Sequence, residues 1–348
     1  FSIDNIKLEI PIIAAAMDSV VSPKTAILMG KYGGMGVINL QGVQTRYEDA
    51  AKILEEISSI SREKYVELMQ RLYQEPIKPN LISKRIQEIR SAKGIVAVSV
   101  TPQAAEEIAP MAIDAGADII FVQSTVTSTK HKSNNYKLDL KKFCKKAKIP
   151  VVVGNCVTYE VTLELMKAGA AAVLVGIGPG AACTSRGVLG VGIPMATAIA
   201  DCAAAREFFK GSSGKYVPII GDGGMVVGGD ICKAIACGAD AVMIGSPLAR
   251  AAEAPGSGYH WGMATPNALL PRGARIKVGT IGTLKEILHG PAKYDDGSEN
   301  LVGALKTSMS TLGAENIAQM QQVEVVIAPS ILTEGKVFQK AQALGMYK

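Results

Sequence analysis

The stretch PVVVGNCVTYEVTLELMKAGAAAVLVGIG, residues 150–178, decides the fold. It opens on an apolar run, PVVVGN (150–155), continues as the helical pattern TYEVTLELMKAG and closes on a second run, AAVLVGIG (171–178). Near-continuous apolar runs of this length suit strands buried on both faces, the mark of a parallel sheet covered by helices. The glycine that ends the helical pattern is the expected C-terminal residue. Working outward, the same alternation recurs at PIIAAAMD (11–18), MGVINL (35–40), GIVAVSV (94–100), ADIIFVQ (117–123), VPIIGDG (217–223) and AVMIGS (241–246). Eight runs in series fit a (β/α)8 TIM barrel. A doubly wound sheet is the alternative, but eight units ending in similar small-residue turns favour closure.

Helical patterns fill most of the intervals: PKTAILMGKYG, TPQAAEEIAPMAIDAG, PMATAIADCAAAREFF and GGDICKAIACG. The chain, 1–348, therefore reads as a single barrel domain with two enlarged connections. Residues 43–93 are polar with a helical pattern, and predict a helical excursion after the second strand. Residues 250–283 are rich in Gly and Pro without periodicity, and predict a mobile flap over the active face after the eighth strand.

Composition narrows the class further. With 48% hydrophobic residues in 348, disorder is excluded, and the 36 glycines follow no three-residue period, which excludes a collagen-like chain. The balance of 37 Lys+Arg against 31 Asp+Glu is mild, and supports neither nucleic acid nor a membrane surface as partner. An anionic small ligand stays open. No run of 18 apolar residues exists and the N-terminus lacks the shape of a secretory signal, so a soluble, cytoplasmic protein is expected. The six cysteines have no CxxC spacing, and His131, His260 and His289 have no metal-ligand spacing. Without a strand-linked GxGxxG, a dinucleotide would bind in the barrel mouth.

In a barrel the C-terminal strand ends make the site. The sixth run leads into GIGPGAACTSRG, where Gly176, Gly178 and Gly180 free the backbone around Cys183. Thr184, Ser185 and Arg186 give that thiol polar surroundings suited to reactivity, while spacing alone leaves a nucleophile and a structural thiol equally open. The seventh and eighth runs end in GDGGM (221–225) and IGSP (244–247), where barrels commonly hold a phosphate. There Asp222 suits a ribose diol or a turn, and Asn155 suits a base or an Asx turn. Asp18 and Gln123 are similarly placed at strand ends. His260 and Trp261 suit a lid contact or simple packing.

AAAMDSV, VVVGNCVT, VGIGPGAACTSRGVLGVGIP, IIGDGGM, GDICKAIACGADAVMIGSPLA and YHWGMAT follow one another as they do in the IMP dehydrogenase/GMP reductase family, which the chain resembles from about residue 4 to 330. The resemblance implies a (β/α)8 barrel, a homotetramer or higher, and a purine nucleoside monophosphate (GMP or IMP) as ligand. It makes Cys183 the nucleophile at C2 of the base, with a nicotinamide cofactor exchanging hydride there, and Ser185 the hydroxyl two residues on. Carbonyls of Gly178, Gly180 and Cys183 would hold a monovalent cation, with potassium dependence implied. Asp222 would take the ribose hydroxyls, and Gly224, Gly245, Ser246 and Tyr259 the phosphate. Gly262 and Met263 would lie at the base with Asn155 near it, and Gln123, Ser124 and Gly176 on the cofactor side.

Within the family the resemblance favours GMP reductase, with NADPH as cofactor, over an NAD-dependent IMP dehydrogenase. The excursion stands where dehydrogenases usually insert two CBS modules. Dehydrogenases also use an Arg-Tyr pair in the flap to activate water, and residues 250–283 contain no such dipeptide; Arg46-Tyr47 lies after the second strand. Three positions depart from the family pattern: Arg272 stands for the reductase glutamate, Ala181 for a phosphate-binding serine and Gln123 for an aspartate. These leave Glu286 or Glu253 as stand-in proton donors, and a nucleotide-binding regulatory protein without catalysis as a third reading.

Overall fold

A computed structural model of the chain describes residues 1–128, 138–262, 264, 267 and 269–327. A two-stranded hairpin, β1 (Ser2–Ile3) and β2 (Ile6–Lys7), precedes eight parallel strands: β3 (Ile12–Ala14), β4 (Met35–Asn39), β5 (Ala97–Val100), β6 (Ile119–Gln123), β7 (Val151–Cys156), β8 (Ala172–Val175), β9 (Ile219–Asp222) and β10 (Ala241–Ile244). They pair in that order, and β10 returns to β3, so the barrel is closed. Each of the eight apolar runs matches one of these strands, β7 extending one residue past its run to Cys156. The barrel expected from the sequence is the barrel observed.

The runs look continuous because both faces are covered. Val152, Leu174, Phe121 and Met243 point into the barrel, while Val151, Val153, Val173 and Val175 meet the helices outside. Ile3, Ile6 and Leu8 of the hairpin segment join the interior cluster and close one end of the barrel. Local chemistry sets the helix starts: Ser22 accepts from Thr25 N with Pro23 in the first turn, and Thr158 caps Tyr159–Lys167.

Residues 43–93 hold three α-helices, Ala50–Ser59, Tyr65–Leu72 and Pro79–Ser91. The last packs between Pro23–Lys31 and Ala105–Ala115, where a barrel crossover helix belongs. The first two build a second core of Leu54, Ile57, Tyr65, Leu68, Met69 and Leu72 with Val43 before them, and a further member comes from the flap: Trp261, fully buried. Residues 250–283, expected to be without regular structure, contain an antiparallel ribbon of β11 (Tyr259–His260) and β12 (Ile276–Lys277). Arg275 anchors it, donating to the carbonyls of Ile57, Ser58 and Ile60 at the C-terminus of Ala50–Ser59, with the Tyr259 and Tyr65 rings 4.7 and 5.2 Å away. The period of a two-residue ribbon is too short to register in sequence.

Candidate active site

The strand ends β6, β7 and β9 converge on one carboxylate. Asp222 Oδ2 accepts from Asn155 Nδ2 at 2.7 Å and from Gln123 Nε2 at 3.1 Å, and Asn155 Nδ2 also donates to Gly176 O at 2.8 Å. Burial pushes the Asp222 carboxyl up to about 6 against those two hydrogen bonds. Both amides spend their donors inward, which leaves Asn155 Oδ1 and Gln123 Oε1 buried without a hydrogen-bond partner. The cluster is therefore rich in acceptors and calls for a ligand rich in donors. Ribose hydroxyls and a carboxamide NH2 have that chemistry. Gly176 is required by contact: at φ +143° its Cβ would lie 2.3 Å from Asp222 O.

Cys183 follows in the loop that crosses this cluster. Its thiol donates to Ser185 Oγ at 3.3 Å, and Ser185, fully buried, opens the short helix Ser185–Leu189. Arg186 braces the loop by donating to Ile177 O at 3.0 Å and Ile193 O at 2.7 Å. Its stem fills the space beside Gly178, whose φ of +66° keeps the turn tight. Gly180 O accepts from Cys183 N at 3.0 Å. The flap lies across the loop, with Ala274 N donating to Ala182 O at 2.9 Å and Gly262 facing Ala182 O.

The two glycine turns lie beside these groups. Gly224, at φ +75°, packs on Pro179 of the cysteine loop, and Gly245 abuts His260 and Met17, with Ser246 next to it. Tyr259 lies against Arg275 in the ribbon. Ser124 spends its hydroxyl on Val126 O at 2.7 Å and shares a 2.9 Å contact with Thr127 Oγ1. Met263 and His131 lie outside the described residues. Among the described residues no group of three or more His, Cys, Asp or Glu side chains could hold a metal ion, and no helix is long and apolar enough to cross a membrane.

Several side chains take structural roles. Glu286 accepts from Thr283 N at 2.7 Å in a capping box, and the hydrogen bond from Lys293 at 2.6 Å, with that capping contact, holds its carboxyl down at about 2. Glu253 accepts from Leu284 N at 2.8 Å. A carboxylate held as low as that of Glu286 is a poor proton donor. Arg272 reaches Thr125 Oγ1 at 3.1 Å, in the loop after β6. Asp18 joins the strand end of β3 to the excursion, accepting from Val43 N at 3.0 Å and from Tyr73 OH, and burial pushes its carboxyl up to about 6.

A closed (β/α)8 barrel carrying a cysteine loop and paired glycine turns at its strand ends has the layout of a barrel enzyme that seats a small ligand at its mouth. Residues 2–337 match the family model described as IMP dehydrogenase/GMP reductase domain. The chain belongs to that family. It is 40% identical over 338 residues to an uncharacterized oxidoreductase of Mycobacterium leprae, covering 94% of this chain and 90% of that protein. It is 34% identical over 341 residues to the inosine-5′-monophosphate dehydrogenase of Cryptosporidium parvum, covering 91% and 82%. An IMP dehydrogenase/GMP reductase-like protein from Corynebacterium glutamicum, of known crystal structure, superposes with a TM-score of 0.89 at 38% identity, covering 94% of this chain and 88% of that one.

Proposed function

We propose that the protein is a GMP reductase, converting GMP to IMP and ammonia with NADPH as reductant. The observation that carries the direction is the fate of the Arg–Tyr pairs. Arg46 donates to Gln41 O and Glu75 O, Tyr47 OH donates to Leu72 O at 2.9 Å, and Arg275 and Tyr259 are locked to the excursion. None is left to activate water, the step a dehydrogenase needs and a reductase does not.

The chain's own residues divide the work as follows. Asp222 receives the ribose hydroxyls and orients the nucleotide, with Asn155 near the base and the phosphate over Gly224, Gly245 and Ser246 beside Tyr259. The Cys183 sulfur adds to C2 of the base while its proton passes to the Ser185 hydroxyl, which gives its own proton on toward the C2 amino nitrogen. The C2–N bond breaks, and ammonia leaves. A bound nicotinamide cofactor supplies the hydride that C2 then receives. Loss of the C2–S bond gives IMP, and the sulfur takes one proton from solvent to regenerate the Cys183 thiol. Gln123, Ser124 and Gly176 are the proposed cofactor-side residues, and the two orphaned amide oxygens fit its donors. Neutral carbonyls of Gly178, Gly180 and Cys183 suit a large monovalent cation such as potassium. A homotetramer completes the proposal.

The test is a spectrophotometric assay with GMP or IMP against each cofactor. Loss of NADPH absorbance with GMP is expected; NADH formation from IMP and NAD would instead support the dehydrogenase reading, which the Cryptosporidium relative favours. Cys183→Ala should bind nucleotide without turnover. Binding with no turnover in the unmodified protein would point to a regulatory nucleotide-binding role.

A further inference from the structure

His260 ends the ribbon strand β11 and is only 3% exposed. Its Nδ1 lies 3.1 Å from Ser19 Oγ, and the same hydroxyl accepts the Trp261 backbone N–H at 3.4 Å. When the Ser19 hydroxyl gives its proton to Nδ1, the ring carries its hydrogen on Nε2. Burial holds the imidazole down at about 4, so the ring is neutral at physiological pH.

The other edge of the ring faces the glycine turn after β10. A Cβ on Gly245 would lie 3.0 Å from His260 Cε1, 3.3 Å from Nε2 and 3.1 Å from Met17 Sδ, so glycine and imidazole are matched in space. Nε2 has no hydrogen-bond partner among the described residues. An N–H donor at that edge without a protein acceptor is free to meet one that a ligand supplies. The neighbouring Met17 sulfur is a weak acceptor, whereas a phosphate oxygen is a strong one.

We propose that His260 is a ligand of the nucleotide's phosphate, donating Nε2–H to a phosphate oxygen seated over Gly245 and Ser246, with Ser19 as the positioning residue that holds the required tautomer. The proposal rests on the purine-nucleotide reading above and adds a side-chain contact to its phosphate subsite. It also explains why a histidine, and not a larger cation, occupies this place: the neutral ring tolerates burial when no ligand is bound.

Calorimetric titration of the intact protein with GMP and with guanosine tests it. The unmodified protein should bind GMP more tightly than guanosine. His260→Asn, which keeps a group near Ser19 and removes the donor near Gly245, should weaken GMP binding roughly 10- to 100-fold and leave guanosine unchanged. His260→Gln, whose amide nitrogen reaches about as far as Nε2, should retain most of the affinity, and Ser19→Ala should fall between. Equal losses for GMP and guanosine, or identical behaviour of the Asn and Gln variants, would overturn the proposal while leaving the nucleotide reading intact. No preference for GMP over guanosine in the unmodified protein would overturn both. Should the variants not fold, NMR of the unmodified protein decides: the His260 Nε2–H resonance should shift with GMP and not with guanosine, and the absence of that shift refutes the contact.

Discussion

Asn155 and Asp222 form a 2.7 Å hydrogen bond between the C-terminal ends of two barrel strands, and the same Asn155 amide group reaches Gly176 O at 2.8 Å. A single side chain thus fixes the carboxylate and the first residue of the cysteine loop relative to each other. Burial works against that bond and pushes the carboxyl up to about 6.

Ligand affinity should follow that ionisation. Ribose hydroxyls donate to a carboxylate better than to a neutral acid, so binding strengthens as pH rises through 6. For guanosine, which has no phosphate to titrate, affinity should increase about tenfold between pH 5 and pH 7. Asp222→Asn should flatten the profile at low affinity. A wild-type profile as flat as that of the variant would contradict the assignment of Asp222 to the ribose.

Stability should run the other way. A carboxyl whose folded value is raised above its unfolded one retains its proton in the folded state while the unfolded chain releases it, so stability falls as pH rises from about 4 to about 6 and stays low above. The shift of Asp222 corresponds to about 3 kcal/mol at most. Asp222→Asn should therefore raise the melting temperature at pH 8 and change it little at pH 4, while weakening nucleotide binding. Thermal scans at the two pH values check this, and equal melting shifts at both would count against a buried charge as the cause.

The glycine at 176 sits where no side chain fits. At φ +143° and with Asp222 O 2.3 Å from the position of a Cβ, Gly176→Ala must displace backbone. A loss of roughly 3–5 kcal/mol is expected. Chemical denaturation measures it, and a loss under 1 kcal/mol would mean that the strand ends are looser than the hydrogen bonds of Asn155 imply. Gly180→Ala is the control, since nothing lies within 4 Å of its Cβ position.

The barrel was legible because burial on both faces writes each strand as an apolar run, and because glycine marks the turns that follow. Cys183, Asp222 and Asn155 were legible as strand-end residues, although their mutual contacts were not. What the chain did not reveal depends on residues far apart: Ser19 and His260 are separated by 241 positions, and Trp261 is buried by helices that begin some 200 residues earlier. A segment rich in Gly and Pro reads as loose when its partners are elsewhere in the chain. The flap's order comes from the excursion, and no local pattern records that dependence.

That dependence can be broken from either side. Trp261 is fully buried among Leu54, Ile57, Leu68 and Met69, and Arg275 satisfies three carbonyls at the end of Ala50–Ser59. Trp261→Ala removes a large buried side chain and should cost about 3–5 kcal/mol. Arg275→Gln strips the helix end of its cation and should cost about 1–3 kcal/mol. Because the second core is separate from the barrel's, both losses should appear as local opening: hydrogen exchange should accelerate across Ala50–Leu72 and the ribbon while β5 to β8 stay protected. Turnover should fall with the same variants, since the ribbon carries Tyr259 and lies over Ala182. Uniform acceleration across the barrel strands would show instead that excursion, flap and barrel unfold as one unit.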